Sequence, residues 1–186
     1  TMKRLLVFFT ALLMFATTMS AGGKLTVRDI TGSKFSAKMV QGMNPIAGTD
    51  TYARIEGKKI VSYSFKTGKQ VGVLFDADNT LGKKIDSFDS YSFSPDGKRM
   101  LIQTKTERIY IYNIASRRLD PLSDGGPQQI PTWSEDGQQV AFVRDNNIFL
   151  VKLLYDNAEI QVTKDGKFNE VINGLPDWVN EEELGF

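Results

Sequence analysis

Apolar and polar residues alternate over short stretches along most of the chain, and turn residues separate these stretches. "RMLIQ" from Arg99 and "QVAFV" from Gln139 are two examples, and each is followed by a polar turn and a second stretch, "RIYIYNI" or "NIFLVKL". Short runs rich in Ile, Val, Tyr and Phe favour strands that are buried on at least one face. Helical spacing is hard to find before residue 170, so the pattern predicts an all-β protein.

The stretches recur with a period of about 40 residues. "YSFSPDGKRMLIQ" from Tyr91 and "PTWSEDGQQVAFV" from Pro131 superpose at this offset, and a looser copy covers residues 51–76. In both turns the Asp can bond its own backbone and the Gly accepts a positive φ, which predicts a tight hairpin. Four short antiparallel strands per repeat are the signature of a propeller blade. A β-sandwich with an accidental repeat is the alternative, and the near-constant offset favours blades.

The repeat also predicts the domain organisation. The predicted units are a leader or first-strand region at 22–46 and a partial β-propeller over 47–186, with four-stranded blades at 47–87, 88–128 and 129–167 and the start of a fourth after residue 167. A closed propeller needs at least four blades. We therefore expect a β-propeller fragment of about three blades, with exposed strand edges and a chain that continues.

The first 21 residues have a composition of their own. Lys3 and Arg4 precede an apolar run from Leu5 to Phe15, and small and polar residues follow up to Ala21. This order is typical of a secretory signal peptide, and the run is shorter than the roughly 20 residues that a transmembrane helix needs. We predict that residues 1–21 are a signal peptide, that no stable membrane span remains after its cleavage, and that the protein is periplasmic or secreted.

Composition excludes several classes of function. The chain has 186 residues, 23 Lys plus Arg against 22 Asp plus Glu, and neither cysteine nor histidine. The near-neutral balance gives no reason to expect a nucleic-acid partner. Without histidine or cysteine the chain cannot contain a Ser-His-Asp triad, a thiol nucleophile or a zinc site built on those residues. "DADNTLG" from Asp76 resembles a calcium loop but has Leu81 where such loops need glycine, so no metal or cofactor is predicted.

Three adjacent carboxylates, Glu181, Glu182 and Glu183, follow a turn that contains Pro176 and Asp177. One interpretation is a solvated helix start, in which Asp177 is the N-cap and the acids interact with the helix N-terminus. The other is a cation site, because adjacent carboxylates can hold a primary ammonium, which has three donors to satisfy. The residues alone leave both open.

Longer stretches of the chain resemble a known family. "FSPDGKRMLI", "PTWSEDGQQVAFVRDNNIFLV" and "QVTKDGKFNEVINGLPDWVNEEELGF" are similar to the N-terminal half of the β-propeller domain of dipeptidyl peptidase IV, in the prolyl oligopeptidase family, and most similar to secreted Bacteroidetes enzymes. The resemblance covers nearly all of residues 22–186. The hairpin motif occurs in many propellers, whereas Asn-Gly-x-Pro-Asp-Trp-Val-x-Glu-Glu-Glu after Val-Thr-x-Asp-Gly-Lys is specific.

The resemblance implies an enzyme that removes dipeptides from peptides with Pro, or less well Ala, in second position. In the family an eight-bladed propeller precedes an α/β-hydrolase domain that carries the Ser-Asp-His triad. The last two acidic residues of the motif bind the substrate's free α-ammonium, a role that falls here on Glu182 and Glu183. Glu181, Asp177 and Trp178 are then supporting residues. The implied partners are the N-terminus of a peptide substrate and the hydrolase domain, and a homodimer of the full-length protein is left open.

The chain departs from the family pattern in places. Members usually have an arginine-containing segment, roughly "YRHSYTA.Y", between the strand that ends near Thr106 and the strand with "YIYNI", and this segment is absent here. Arg108 lies near the gap but does not match the motif. Asn180 and Leu184 replace the usual Tyr and Phe. We therefore predict the propeller portion of a secreted serine-type dipeptidyl peptidase, inactive alone; the alternative is a non-catalytic periplasmic propeller module that binds a protein or peptide.

Overall fold

The structure is a computed structural model that describes residues 25–36 and 42–183, so the predicted signal peptide at residues 1–21 lies outside it. The chain divides into two compact units between the two described ranges. None of the helices in these ranges is long and apolar enough to cross a membrane.

The first unit contains a short helix, α1 (Val27–Thr31), followed by a 3₁₀ turn (Ser33–Phe35). A capping box begins α1: Asp29 N donates to the Thr26 hydroxyl at 3.1 Å, and Thr26 N donates to the Asp29 carboxylate at 3.0 Å. No helix was predicted in this leader region. Its five residues are too few to show a helical period, so only the cap marks it in the sequence.

The second unit is built from three sheets. The first contains β1 (Asn44–Pro45), β2 (Thr51–Glu56), β3 (Lys59–Ser64) and β4 (Gln70–Asp76). The second contains β5 (Leu81–Gly82), β6 (Ser90–Phe93), β7 (Arg99–Gln103), β8 (Ile109–Asn113) and β9 (Arg118–Pro121). The third contains β10 (Gln129–Trp133), β11 (Gln139–Arg144), β12 (Asn147–Lys152) and β13 (Ala158–Gln161). Two further 3₁₀ turns (Ala77–Asn79 and Leu153–Tyr155) and a π-helical turn (Val179–Glu183) complete the elements.

Each sheet is a four-stranded antiparallel meander in chain order, and β5 joins the second sheet through parallel pairing with β9. Successive meanders at a regular interval are the blades of a propeller. The predicted all-β propeller class with about three blades is therefore confirmed. The first blade begins at β1, slightly before residue 47. After β13, the described residues form an isolated bridge between Lys167 and Val171 and the π-helical turn, without a further strand.

The repeated hairpin turns of the second and third blades have the same geometry. In the second blade, Arg99 N donates to the Ser94 hydroxyl at 2.9 Å and Lys98 N donates to the Asp96 carboxylate at 3.1 Å. In the third, Gln139 N donates to Ser134 at 2.9 Å and Gln138 N donates to Asp136 at 2.9 Å. Gly97 and Gly137 both have φ of 67°. The Ser, Asp and Gly of the motif thus have the same structural task in both blades.

The second blade lies between the other two and is buried on both faces. Alternation along β7 sends Met100 and Ile102 into a core shared with Phe75 of the first blade. Leu101 enters a second core with Phe142 of the third blade. A strand covered on both sides reads as a continuous apolar run, which is why "MLI" shows no alternation.

Arg144, at the end of β11, connects the third blade to the segment that enters it. Its guanidinium donates to Glu159 of β13, with an Nη1 to Oε2 distance of 3.2 Å, and lies 4.0 Å from the centre of the Phe149 ring. The Ser123 hydroxyl donates to the same carboxylate. Gly125 passes so close that a Cβ there would overlap the guanidinium. Because only 12% of the Arg144 side chain is exposed, this ion pair is partly desolvated.

Candidate functional site

The segment with the three glutamates begins on the hairpin tip between β11 and β12. Asp145 and Asn146 have φ of 51° and 58°, and Arg144 pairs with Asn147 across them. Positive φ at both central residues is the type I′ turn that suits the twist of a two-residue hairpin. The Asp-Asn sequence fits because both residues tolerate this conformation.

Asn173 and Gly174 hold the following segment against this tip. Asn173 donates to the Asn146 carbonyl twice, from its backbone N at 3.1 Å and from its side-chain amide at 3.2 Å. Gly174 has φ of 78°, and a Cβ there would lie 2.8 Å from Val143 Cγ2 and 3.0 Å from Ile148 Cγ1. Only glycine allows this close approach with this backbone conformation.

Asp177 begins the turn that presents the glutamates. Its carboxylate accepts hydrogen bonds from Val179 N at 3.0 Å and Asn180 N at 3.1 Å, and from the Asn180 side chain at 2.9 Å. Its carbonyl accepts from Glu181 N at 3.0 Å. Asp177 thus satisfies the donors that the start of a helical turn leaves free. Asn180 has a structural task here, as part of the same cap.

The turn (Val179–Glu183) exposes all three glutamates to solvent. Within residues 25–36 and 42–183, no ion pair involves Glu181, Glu182 or Glu183. Three adjacent exposed carboxylates make a local concentration of negative charge. Trp178 is 67% exposed, so its ring is not part of either described core cluster.

The other acidic motif is already engaged in ion pairs. Asp76 pairs with Lys59 at 3.0 Å, and Asp78 pairs with Lys58 at 2.9 Å. The Lys59 ammonium lowers the pKa of Asp76 below its ordinary value, although partial burial opposes this shift. Among the described residues, no three potential ligands gather closely enough to hold a metal ion.

The link between β7 and β8 is a tight turn at the point where the family pattern has its arginine-containing segment. Thr104 N donates to the Arg108 carbonyl and Glu107 N to the Thr104 carbonyl, each at 3.0 Å. Arg108 Nη1 donates to the Gly126 carbonyl at 3.1 Å. Arg108 therefore contributes to the contact between its own blade and the segment that leads into the next one.

Comparison with known proteins identifies the family of this site. The family model for "Dipeptidyl peptidase IV (DPP IV) N-terminal region" matches residues 86–186, which include the glutamates and their anchoring residues. This chain belongs to the dipeptidyl peptidase IV family. It corresponds to the N-terminal propeller region of that family, as the sequence motifs predicted.

Individual members of the dipeptidyl peptidase IV family are similar in sequence to this chain. The chain is 31% identical over 170 residues to "Prolyl endopeptidase FAP" of Bos taurus, a match that covers 86% of this chain and 22% of that protein. It is 39% identical over 115 residues to "Probable dipeptidyl-aminopeptidase B" of Chaetomium globosum, with 55% of this chain and 12% of that protein covered. The chain thus spans less than a quarter of the length of these curated relatives.

A solved structure of the same family also matches. The crystal structure of Porphyromonas gingivalis dipeptidyl peptidase 4 superposes with a TM-score of 0.75 at 34% identity, and the match covers 89% of this chain and 25% of that one. The similarity in sequence and in fold therefore extends over nearly the whole chain.

The contact that fixes the site, between Asn173 and the Asn146 carbonyl, was not predicted from the sequence. Pro176 and Asp177 were expected in a turn, but the partner of the residues that lead into it, the carbonyl of Asn146, lies 27 residues from Asn173 in the chain. The Asn173-Gly174 dipeptide signals a turn and does not reveal what the turn packs against. The structure brings Asp177 and Glu181 together through a backbone hydrogen bond. Glu182, Glu183 and Trp178 are exposed, and their roles stay predictions.

Proposed function

We propose that this chain supplies the substrate-amine site of a secreted serine-type dipeptidyl peptidase that removes X-Pro or X-Ala dipeptides. One observation carries the proposal: Glu182 and Glu183 are adjacent, exposed and without an ion-pair partner in the described part of the chain, on a turn anchored to the third blade. Glu181 is the flanking member, and Asp177 and Trp178 support the turn.

The chemistry of the site suits a peptide N-terminus. An α-ammonium has three N–H donors, and two carboxylates offer four acceptor oxygens with the opposite charge. If the amine is held at a set distance from a nucleophile, only two residues fit before the scissile bond. Paired glutamates would thus select the position of cleavage, and the free amine would become a condition for productive binding.

Cleavage itself requires residues from outside this chain, which has no histidine. We assign the Ser-Asp-His triad to an α/β-hydrolase domain C-terminal to the propeller, in accordance with the family resemblance. Export is proposed from Lys3, Arg4 and the apolar run that follows them. The peptide substrate meets the propeller in the cavity that the two domains share.

The test compares three isosteric variants in the peptidase that contains this chain and its hydrolase domain. We expect Glu182→Gln or Glu183→Gln to lower kcat/KM for a Gly-Pro anilide by about 10- to 150-fold, which corresponds to the usual 1.5–3 kcal/mol of a hydrogen bond to a charged group. Glu181→Gln is the matched control and should change kcat/KM by less than about threefold, since it does not meet the amine. Thermal unfolding of all three variants should be alike.

Equal kinetics of the three variants would remove the amine-binding role from Glu182 and Glu183. Absence of any dipeptide hydrolysis by the assembled wild-type protein, together with binding of intact peptides, would favour the non-catalytic propeller module instead.

A further inference from the structure

The chain between β13 and the glutamates forms a loop, residues 163–174, whose two ends contact the same hairpin tip. At its start, Ile148 N donates to the Thr163 hydroxyl at 2.9 Å, and Gly166 N donates to the Asn147 side-chain oxygen at 2.9 Å. At its end, Asn173 bonds the Asn146 carbonyl. The two ends of this loop therefore both contact the hairpin tip of the third blade.

Asn147 is the buried centre of the first contact. It is 7% exposed, its amide nitrogen donates to the Asp145 carbonyl at 3.0 Å, and its oxygen also accepts from Thr163 at 3.2 Å. Gly166 passes so close that a Cβ would lie 2.3 Å from the Asn146 carbonyl oxygen. A buried amide that is hydrogen-bonded through both its nitrogen and its oxygen holds a loop in one position.

Asn173 closes the loop. Besides the Asn146 carbonyl, its amide nitrogen donates to the Asp165 carboxylate at 3.1 Å, so one side chain joins the tip, the start of the loop and its end. Only Gly174, Leu175 and Pro176 separate this residue from Asp177, which begins the glutamate turn. Gly174 passes close to Val143 and Ile148, and Pro176 has a fixed φ, so little freedom remains between the two points.

We propose that Asn173 is a positioning residue for substrate-amine recognition: it fixes the glutamate turn on the hairpin tip of the third blade. This inference rests on the proposed function for its kinetic consequence. Its structural part, the restraint of the turn by the Asn173 amide, stands without it. The two parts can be measured separately.

The structural part is tested with Asn173→Asp, an isosteric change that removes the amide donor and sets a carboxylate against the Asn146 carbonyl and Asp165. We expect hydrogen exchange at the amides of Val179, Asn180 and Glu181 to rise about fivefold or more, as for the loss of one hydrogen bond. Asn169→Asp is the matched control: Asn169 is exposed in the same loop, has φ of 60°, and should change exchange by less than about twofold.

The kinetic part uses the same two variants in the assembled peptidase. We expect Asn173→Asp to raise KM for a Gly-Pro anilide by about two- to fivefold with a smaller change in kcat, because the amine site is less often in place. Adding Asp165→Asn should restore part of KM, since the amide introduced by that second change can donate to the carboxylate introduced by the first. Asn169→Asp should leave both constants unchanged.

Unchanged exchange in Asn173→Asp would overturn the inference. So would faster exchange with an unchanged KM, since Asn173 would then stabilise the turn without placing the site. If Glu182→Gln and Glu183→Gln do not affect hydrolysis, the proposed function fails, and the exchange result still decides whether Asn173 restrains the turn.

Discussion

Gly174 allows the packing at the base of the glutamate turn to be tested by one substitution, Gly174→Ala. The residue has φ of 78°, and an alanine Cβ would lie 2.8 Å from Val143 Cγ2 and 3.0 Å from Ile148 Cγ1. Carbon atoms in contact prefer separations of about 3.5–4.0 Å. The variant therefore meets two separate obstacles, one in the backbone and one in the packing.

The two contributions can be given magnitudes. A non-glycine residue in the left-handed region costs about 1–2 kcal/mol. Crowding of a packed site by one methyl group costs about 1–3 kcal/mol, with Val143 and Ile148 forced to shift by several tenths of an ångström. We expect Gly174→Ala to lower the free energy of unfolding by about 2–5 kcal/mol in total.

Gly68→Ala is the control that separates the contributions. Gly68 has φ of 64°, and a Cβ at this position would meet no atom within 4 Å, so its replacement incurs the backbone cost alone. Urea unfolding followed by tryptophan fluorescence and circular dichroism measures both variants. An equal loss of stability in Gly174→Ala and Gly68→Ala would refute the packing of Gly174 against the third blade.

Three further results are expected. Arg144→Met should lower the free energy of unfolding by about 2–3 kcal/mol, because a partly desolvated ion pair and a ring contact are lost. The Arg118 side chain is 62% exposed, so Arg118→Met should lower it by at most about 1 kcal/mol. Burial raises the pKa of Glu159, but its bonds to Arg144 and Ser123 outweigh this and leave the pKa below 4.5. A depressed folded pKa gives stability that is present above the unfolded pKa and lost as pH falls through the folded one, so Glu159→Gln should lessen the loss of stability below pH 4.5 in thermal melts. Ser94→Ala should cost about 2 kcal/mol and Ser134→Ala about 1 kcal/mol in urea unfolding, because Ser94 is the more buried of these two hydroxyls.

The strands and turns of the blades were predictable because their signals are local. The Ser, Asp and Gly of each hairpin bond within six residues of chain, so the repeat in the sequence is also a repeat in geometry. The continuous run at Met100 to Ile102 likewise reflected a strand buried on two faces.

The contacts of the candidate site were not predictable in the same way. The bond between Asn173 and Asn146 and the ion pair between Arg144 and Glu159 join residues far apart in the chain. The pattern of hydrophobic and polar positions does not encode such partners, because the partner of a polar loop residue depends on which segments the fold brings together. The glutamate cluster could be recognised in the sequence, whereas the contact between Asn173 and Asn146 that anchors it could not.

Both ends of the 163–174 loop are held by hydrogen bonds, and this affects which changes in loop length the protein can tolerate. Between them, Lys167 and Val171 form their own small bridge, and the exposed residues there make no hydrogen bond to the hairpin tip that holds the ends. Added residues in a loop whose ends are fixed cost little closure entropy. Insertions at 168–170 should therefore extend the loop into solvent and leave the glutamate turn in place. The length and sequence of this short stretch can then change without disturbing the neighbouring site.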